Sequence, residues 1–399
     1  MSNPLPVIVS FGGMNAAGRS SGHEAYQRMI YEGLSASQQK HRVASLASLM
    51  GLESSDEAGV LAGTLVRRIE RSHFDVDNVP SAKRTVLNPK QSQPASFVMA
   101  RKDLPETLPP HWSVSPLDAD ERSVRVDLES SQTLMVDTAA TMPVQSAGQL
   151  PSGFDPAALY RSTHHPRGLQ LAILGASDAI NSLGIAWQEI MECIAADQVA
   201  VYASSVMSQL DANGYGGMIS ARRRADRVSS KQLALGFNSM PADFINAYVL
   251  GSVGATGAVT GACASFLYNL CHAVEDIKSG RRKVVVVGAS EAPVLPEVID
   301  GYAAMSALAS DDGLRKLDGL SADALPNHRR ASRPFGDNCG FTIAESCQYV
   351  VLMADDLALE LGADVYGAVP GVYVNADGPK KSISSPGAGN YLTLAKAVG

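Results

Sequence analysis

The sequence has 399 residues, of which 45% are hydrophobic and 18% charged, and its formal net charge is −7. This length and composition allow a large buried core, and the net negative charge argues against general nucleic-acid binding. No apolar run approaches the ~18 residues that a membrane span requires. The first residues lack the basic stretch of a signal peptide, and five cysteines without a C-x-x-C pair favour a reducing cytoplasm.

The chain begins with a predicted strand and turn over residues 5–13, followed by a predicted helix over Gly22–Gly33. From Leu34 to about Leu150, frequent prolines argue against long regular elements, and we expect an elaborated cap rather than an independent domain. Two helices and three short strands are expected within it: Val43–Leu52, Val60–Ile69, Phe97–Ala100, Val124–Leu128 and Thr133–Val136.

Two adjacent histidines, His164 and His165, precede Pro166 and a long predicted helix over Gly168–Ile194. A histidine pair can indicate a metal site. Adjacent loop residues point apart, however, and no third ligand follows at helical or hairpin spacing. We therefore expect no metal, and neither a phosphate-loop motif nor an H-E-x-x-H zinc motif is present.

Residues 222–227, the arginine segment, contain four arginines in an otherwise acidic protein: Arg222, Arg223, Arg224 and Arg227. One interpretation is a solvated loop, since charge runs usually face water. The other is a docking patch for an acidic partner or a phosphate, because guanidinium groups match both geometries. The residues alone leave both interpretations open.

The stretch Gly251–Glu291 predicts a strand, a sharp turn, a helix and a second strand, with Cys263 at the turn. Glycines and alanines surround the cysteine, and apolar residues then recur every three or four positions, as on one face of a helix. The run Val284–Val287 is typical of a strand that is covered on both faces. A parallel βαβ unit with Cys263 at the helix N-terminus is the natural interpretation.

A cysteine in that position is suited to nucleophilic chemistry. A thiol reacts as its thiolate, which the positive end of a helix dipole stabilises. Backbone N–H groups at the helix start can also hold the oxyanion of a tetrahedral acyl intermediate, and small neighbours leave room for a thioester. The alternative is a buried cysteine that packs as a small hydrophobic residue.

Beyond this unit, the pattern predicts further elements to the end of the sequence. Helices are expected over Glu297–Leu308, Asp355–Leu361 and Ala388–Val398, and strands within Gly340–Met353 and over Gly367–Asn375. The segment between them, 310–333, is polar and is expected to be a loop.

Several of these motifs, in this order, resemble the β-ketoacyl-acyl-carrier-protein synthases, which are condensing enzymes of the thiolase superfamily. The pattern around the nucleophile of that family resembles Gly254-Ala255-Thr256 and Gly261-Ala262-Cys263-Ala264-Ser265. The other similar motifs are Val7–Gly13, Pro241–Asn246, Arg333-Pro334-Phe335 with Gly340-Phe341, Asn375–Gly378 and Ser385–Gly389. The ordered match covers residues 1–34 and about 155–399.

The resemblance implies an α/β fold, the thiolase-like layered αβαβα arrangement, with an incomplete C-terminal half. In it, the strand Val284–Val287 would be central, and Cys263 would lie buried at the foot of a pocket. Residues 1–328 would form the half that carries the nucleophile, with an expansion at about 35–150. Residues 329–399 would begin the second half. No cofactor is implied.

The activity implied is the decarboxylative condensation of fatty-acid biosynthesis, in a cytoplasmic homodimer without a membrane span. Cys263 would accept an acyl group from acyl-CoA or acyl carrier protein and then condense it with malonyl carrier protein. The basic residues that family members carry near the arginine segment receive the carrier protein, which implies this role for Arg223, Arg224 and Arg227.

One departure from the family concerns its two catalytic histidines. All eight histidines of the sequence precede residue 329, and none lies in the expected His-Gly-Thr context. We therefore expect a chain that ends before the histidine loops and does not condense by itself. A non-catalytic or truncated synthase-like binding subunit, and a thiolase-type acyltransferase, are the alternatives.

Overall fold

A computed structural model describes residues 3–89, 95–381 and 385–399. These residues form two compact units. The larger unit comprises the chain up to Phe74 together with Pro143–Gly399, and the smaller unit is Asp75–Met142. Residues 75–142 thus form a compact unit, and their role as an elaborated cap rather than an independent domain stays a prediction. The division of the chain at residues 328 and 329 stays a prediction.

The strands are numbered here in chain order. They are β1 (Pro6–Asn15), β2 (Gly18–Arg19), β3 (Val66–Arg68), β4 (Val79–Leu87), β5 (Ala95–Ala100), β6 (Trp112–Pro116), β7 (Ser123–Leu128), β8 (Gln132–Ala140), β9 (Ser146–Gly148), β10 (Val199–Ser204), β11 (Ala255–Gly257), β12 (Val284–Glu291), β13 (Ser346–Ala354) and β14 (Gly367–Ala368).

The α-helices are numbered in the same way. They are α1 (Glu24–Met29), α2 (Ala36–Met50), α3 (Glu57–Ala62), α4 (Arg167–Asn181), α5 (Trp187–Glu192), α6 (Tyr215–Arg224), α7 (Ser230–Leu235), α8 (Met240–Ile245), α9 (Ser265–Lys278), α10 (Pro296–Ala304), α11 (Asp311–Leu317), α12 (Asp355–Glu360) and α13 (Ala388–Val398). No helix among the described residues is both long and apolar enough to span a bilayer.

The larger unit is built on one mixed sheet with the strand order β11-β10-β12-β13-β1-β14. Strand β12 pairs in parallel with β10 and antiparallel with β13. The valines of 284–287 are completely buried, as the uninterrupted β-branched run predicted. Alternate residues of a strand point to opposite faces, so Val284 and Val286 pack with helix α4, and Val285 and Val287 with helix α9. Helices therefore cover both faces, which confirms the layered α/β arrangement.

The long helix predicted over Gly168–Ile194 is interrupted in the structure. Helix α4 ends at Asn181, Gly184 adopts a left-handed conformation with φ of 72°, and α5 follows. Glycine populates this region readily, which explains why the chain turns at this point. The sequence did not predict this break, because apolar residues recur at helical spacing on both sides of it.

Three other predictions were wrong in type or length. The segment 310–333, expected to be a loop, contains helix α11. The helix expected over Val60–Ile69 stops at Ala62, and Val66–Arg68 is instead strand β3, paired with β9. The strand expected over Gly367–Asn375 is reduced to β14, because Pro370 follows and has no N–H to donate. Helix α13 has the bounds that the sequence predicted.

The smaller unit contains two antiparallel sheets. Strands β4 and β8 form a two-stranded ribbon, and β5, β7 and β6 form a three-stranded sheet with β7 in the centre. The central strand buries Val124, Val126 and Leu128. The three strands predicted within this region were therefore correct, although β8, with nine residues, is longer than expected, and β4 and β6 were not predicted.

Candidate active site

The turn before helix α9 holds Cys263 in a strained backbone. Cys263 lies two residues before the first helical residue, Ser265, as predicted from the sequence. The preceding residue, Ala262, has φ of 50°, in the left-handed region that residues with a Cβ rarely adopt. Such strain is maintained only where surrounding contacts enforce it, and it is frequent at functional sites. We call residues 259–265 the cysteine turn.

One serine closes the cysteine turn by two hydrogen bonds. The buried Ser265 hydroxyl accepts from the N–H of Gly261 at 2.9 Å and donates to the carbonyl of Ala262 at 2.7 Å. A Cβ at Gly261 would lie 2.6 Å from the ring of Tyr268, so only glycine allows this approach. The hydroxyl and the glycine together fix the backbone on the N-terminal side of Cys263.

A buried asparagine attaches the cysteine turn to the central sheet. Asn269 accepts the N–H of Val259 at 2.9 Å and donates to the Ser204 hydroxyl, at the end of β10, at 3.0 Å. Sequence reasoning missed this residue. The available signal was an amide side chain in the middle of an apolar helical face, where a polar group requires a partner.

Cys263 opens onto a cavity of about 270 Å³. Its walls are mainly apolar and include Met207, Phe266, Tyr302, Phe341 and Ile343. The thiol itself is exposed, which corrects the expectation that it lies buried at the foot of a pocket. An open position gives a bulky thioester direct access to the sulfur.

The other cysteines are less suited to reaction. Complete burial raises the pKa of Cys347 to about 12, so its thiol stays protonated at neutral pH. Partial burial raises the pKa of Cys271, and the neighbouring carboxylate of Glu275 raises it further. Cys339 is partly buried and Cys193 is exposed, but neither lines the cavity among the residues described there.

Comparison with known proteins identifies the family. Residues 97–358 match the model of the β-ketoacyl synthase N-terminal domain. The chain belongs to the β-ketoacyl synthase family. It is 52% identical to the beta-ketoacyl-[acyl-carrier-protein] synthase FabY of Pseudomonas aeruginosa, over 99% of this chain and 65% of that protein. The fatty acid synthase alpha subunit stcJ of Emericella nidulans is 30% identical, over 68% of this chain and 17% of that protein.

Solved structures agree with this assignment. The crystal structure of the ketosynthase FabY from P. aeruginosa matches with a TM-score of 0.94, over 99% of this chain and 64% of that one. The ketosynthase complex AntDE:AntF and the oxazolomycin ketosynthase domain OzmH KS7 match with TM-scores of 0.51 and 0.59. Their identities of 16% and 15% show the shared fold alone. The chain thus spans about two thirds of its bacterial relative.

The alignment with that relative also bears on the smaller unit. Because it covers 99% of this ketosynthase-family chain, it includes residues of 75–142. The family model likewise begins at residue 97, inside the smaller unit. The region is therefore shared with the bacterial protein, although its resemblance to other condensing enzymes could not be seen from the motifs.

The arginine segment lies at the end of helix α6 and in the turn after it. Arg222, Arg223 and Arg224 form the last turn of the helix, and Arg227 follows it. All four side chains are exposed, and none forms an ion pair with another residue that the structure describes. The described lining of the Cys263 cavity contains none of them. Their position suits recognition of a partner at the surface.

The histidine pair lies in a second, basic cavity of about 640 Å³. His164 and His165 line it together with Arg161 and Lys231. Burial lowers the pKa of His165, and the charges of Lys231 and His164 lower it further. The ring of His165 shares a 2.9 Å hydrogen bond with the Tyr160 hydroxyl. Within the described chain, no group of three potential metal ligands occurs.

Proposed function

We propose that Cys263 accepts the acyl group in a β-ketoacyl-acyl-carrier-protein synthase of fatty-acid biosynthesis. The observation that carries this proposal is the cysteine turn, which holds an exposed thiol at the start of helix α9 beside an apolar cavity. The bacterial relative FabY is a beta-ketoacyl-[acyl-carrier-protein] synthase, which supports the proposal. A member of this family with such a turn has both the nucleophile and the space for an acyl chain.

The acyl transfer itself is a thioester exchange. The Cys263 thiolate attacks the carbonyl carbon of an acyl-CoA or acyl-carrier-protein thioester and forms a tetrahedral oxyanion. Backbone N–H groups at the start of a helix are suited to stabilising this charge. The carbon–sulfur bond to the donor then breaks, and the donor leaves as a thiolate that takes a proton from water. The acyl group remains on Cys263 as a new thioester.

The condensation step requires a second charge to be stabilised. Malonyl carrier protein would lose carbon dioxide, and the resulting carbanion would attack the Cys263 thioester to release a 3-ketoacyl product. The family uses two histidines to stabilise the enolate. No histidine lines the Cys263 cavity among the described residues. We therefore propose that residues 1–399 carry out acyl transfer and do not condense by themselves.

The proposed partner is an acyl carrier protein. Carrier proteins are acidic, and Arg223, Arg224 and Arg227 offer exposed cations without an ion-pair partner in the described chain. The fold neighbour AntDE:AntF is an acyl-carrier protein in complex with its ketosynthase, which supports this type of assembly. The substrates would be acyl-CoA or acyl carrier protein, with malonyl carrier protein.

A cytoplasmic homodimer is part of the same proposal. Strand β11 is the last strand of the central sheet, and Val253 beside it is 79% exposed. An edge strand with apolar flanks is suited to pairing with a second copy of the chain. All five cysteines are free thiols, which fits a reducing compartment.

Intact-protein mass spectrometry tests the proposed function. Incubation with acetyl-CoA should add one acetyl group to the chain, and Cys263→Ala should abolish the addition. Cys193→Ala is the matched control, because Cys193 is also exposed but lies outside the described cavity lining. No adduct on the wild-type chain, or an adduct that survives Cys263→Ala, would contradict the proposal.

A further inference from the structure

The cavity that holds the histidine pair, here called the basic cavity, has no role in the chemistry proposed for Cys263. Arg161, His164 and His165 reach it from the loop before α4, Lys231 from α7, and Tyr248 from the chain after α8. None of its described lining residues is shared with the Cys263 cavity. Its volume of about 640 Å³ is typical of a site for a small organic ligand.

The walls of the basic cavity carry positive charge without a counterion. Arg161 and Lys231 are cations at neutral pH, and the described lining contains no aspartate or glutamate. Neither side chain forms an ion pair or a hydrogen bond with another group that the structure describes. This is unexpected in a chain of net charge −7, in which carboxylates outnumber cations. The cavity is therefore electrostatically suited to an anionic ligand.

The polar groups of the basic cavity converge on one space. Burial lowers the pKa of His165, and the positive charges of Lys231 and His164 lower it further, so these three side chains lie within electrostatic reach of one another. The hydroxyls of Thr163 and Ser230 also line the cavity and form no hydrogen bond with another described group. Cations and hydroxyl donors around one space match a phosphate group, whose oxygens accept several hydrogen bonds at once.

An aromatic side chain forms another wall of the basic cavity. Tyr248 lines it and is 54% exposed. Its ring stacks on that of Phe244, with the centroids 5.4 Å apart and an interplanar angle of 16°, and it meets the ring of His165 edge-on. These contacts hold the Tyr248 ring in one orientation while more than half of the residue stays accessible. A fixed and accessible ring is suited to stacking against a flat base.

We propose that the basic cavity binds a nucleotide, with its phosphate groups on Arg161 and Lys231 and its base against Tyr248. Two sources supply such a ligand, namely a free nucleotide such as ADP and the nucleotide end of an acyl-CoA donor. The chemistry that the cavity recognises is the same in both. Only the second source rests on the proposed function, because it requires acylation of Cys263.

Calorimetric titration of the full chain with ADP tests the site. ADP should bind once per chain, and the double variant Arg161→Gln/Lys231→Gln should weaken binding at least about tenfold, because two charge-assisted contacts with phosphate are lost. The matched control is Lys40→Gln/Arg84→Gln, since both residues are exposed and lie outside the described lining. It should leave the affinity unchanged. Absence of ADP binding, or an equal loss in the two double variants, overturns the proposal.

The contact with the base is tested at Tyr248. Tyr248→Phe keeps the ring and should retain the affinity for ADP, whereas Tyr248→Leu should reduce it about fivefold or more. Inorganic pyrophosphate and pantetheine 4′-phosphate carry phosphate without a base, so both should bind more weakly than ADP and equally to wild type and Tyr248→Leu. If either binds as tightly as ADP, or if Tyr248→Leu retains the affinity for ADP, the cavity does not recognise a nucleotide.

Acylation by acetyl-CoA and by acetyl-pantetheine, which has the same thioester without the nucleotide, distinguishes the two sources. If acyl-CoA is the ligand, ADP competes with acetyl-CoA, and Arg161→Gln/Lys231→Gln raises the half-saturating concentration of acetyl-CoA about tenfold without affecting acetyl-pantetheine. If a free nucleotide is the ligand, ADP binds and both acylation reactions stay unchanged. Either result supports the site.

Failure of this inference is distinguishable from failure of the proposed function. A chain that is not acylated by either donor contradicts the proposed function, and the ADP titration still decides whether the basic cavity is a nucleotide site. A chain that is acylated but does not bind ADP retains the proposed function and loses this inference.

Discussion

The cysteine turn and the arginine segment are both conspicuous in the sequence, but they differ in how firmly the structure holds them. The backbone of the cysteine turn donates hydrogen bonds to the buried side chains of Ser265 and Asn269, and its strained conformation fixes the position of Cys263. The arginine segment has exposed side chains without an ion pair in the described chain. The proposed role of the cysteine turn depends on the position of its backbone, whereas that of the arginine segment depends on its positive charge. Substitutions in the first region should therefore change acylation, and substitutions in the second should change partner binding.

The largest expected effect is the difference in reactivity between cysteines. With iodoacetamide at pH 7, we expect Cys263 to be alkylated first, because it is exposed at a helix start. Cys347 should react last, because a pKa of about 12 leaves only roughly one thiolate in 10⁵ at this pH. Peptide mapping after timed quenching measures the order. Faster labelling of Cys193 or Cys339 would show that the turn does not activate Cys263.

The next-largest effect is expected from removal of the hydrogen bonds by which Asn269 attaches the cysteine turn to β10. Asn269→Ala leaves the Val259 N–H without its acceptor and should lower the free energy of unfolding by about 1–3 kcal/mol. It should also slow acylation of Cys263. Chemical denaturation and mass spectrometry measure the two effects.

Asn269→Asp is the control for this substitution. It keeps an acceptor for the Val259 N–H and should preserve more of the acylation rate than Asn269→Ala. Equal rates in wild type and Asn269→Ala would mean that the turn does not need its connection to β10.

The arginine segment should respond to charge removal and to salt. Replacement of Arg223, Arg224 and Arg227 by Ala should weaken binding of an acyl carrier protein roughly tenfold at low salt and flatten its salt dependence. Acylation of Cys263 by acetyl-CoA should be unaffected, since none of the three lines the described cavity. Calorimetric titration at several salt concentrations measures the change.

The matched control removes three positive charges from a different part of the protein surface. Lys83, Arg84 and Lys102 of the smaller unit are exposed, and their replacement by Ala should leave carrier-protein affinity unchanged. If both triple variants bind alike, the arginine segment is only a solvated surface.

The smallest expected effect comes from relieving backbone strain. The cysteine turn and the arginine segment each contain one alanine with a left-handed backbone. Ala262 and Ala225 have φ of 50° and 56°, and glycine would relieve both. Ala225→Gly should raise the free energy of unfolding by about 0.5 kcal/mol, because the relief exceeds the entropy cost of glycine, and it should leave acylation unchanged.

Ala262→Gly should bring a similar gain in stability but slow acylation, because a freer backbone no longer holds Cys263 in one position. Thermal unfolding and acylation rates, measured side by side, test the pair. An Ala262→Gly chain that acylates at the wild-type rate would show that the strain has no role in the chemistry.

The sequence predicted those features that depend on local pattern. The place of Cys263 followed from small residues before an apolar helical period, and the buried strand β12 from four consecutive valines. It did not reveal Asn269 or Glu291, because both act through contacts with residues distant in the chain. Glu291 lines the Cys263 cavity and accepts a hydrogen bond from the N–H of Val206. Ser204 lies 65 positions before Asn269, and Val206 lies 85 before Glu291. The exposure of Cys263 was also missed, because it depends on how the surrounding walls assemble.

The register of β12 has a consequence for how this site can vary. Residues 284–289 pair with residues 199–204 of β10 without a shift in register, and this register sets the position of Glu291 beside the loop after β10. Successive residues of a strand face opposite sides. Loss of one residue from 284–290 would turn Glu291 towards the opposite helix layer and remove its carboxylate from the cavity. Substitutions at 289–293 would alter the cavity without such a shift. The acyl group that the cavity accepts can therefore change in evolution while the pairing of β12 stays the same.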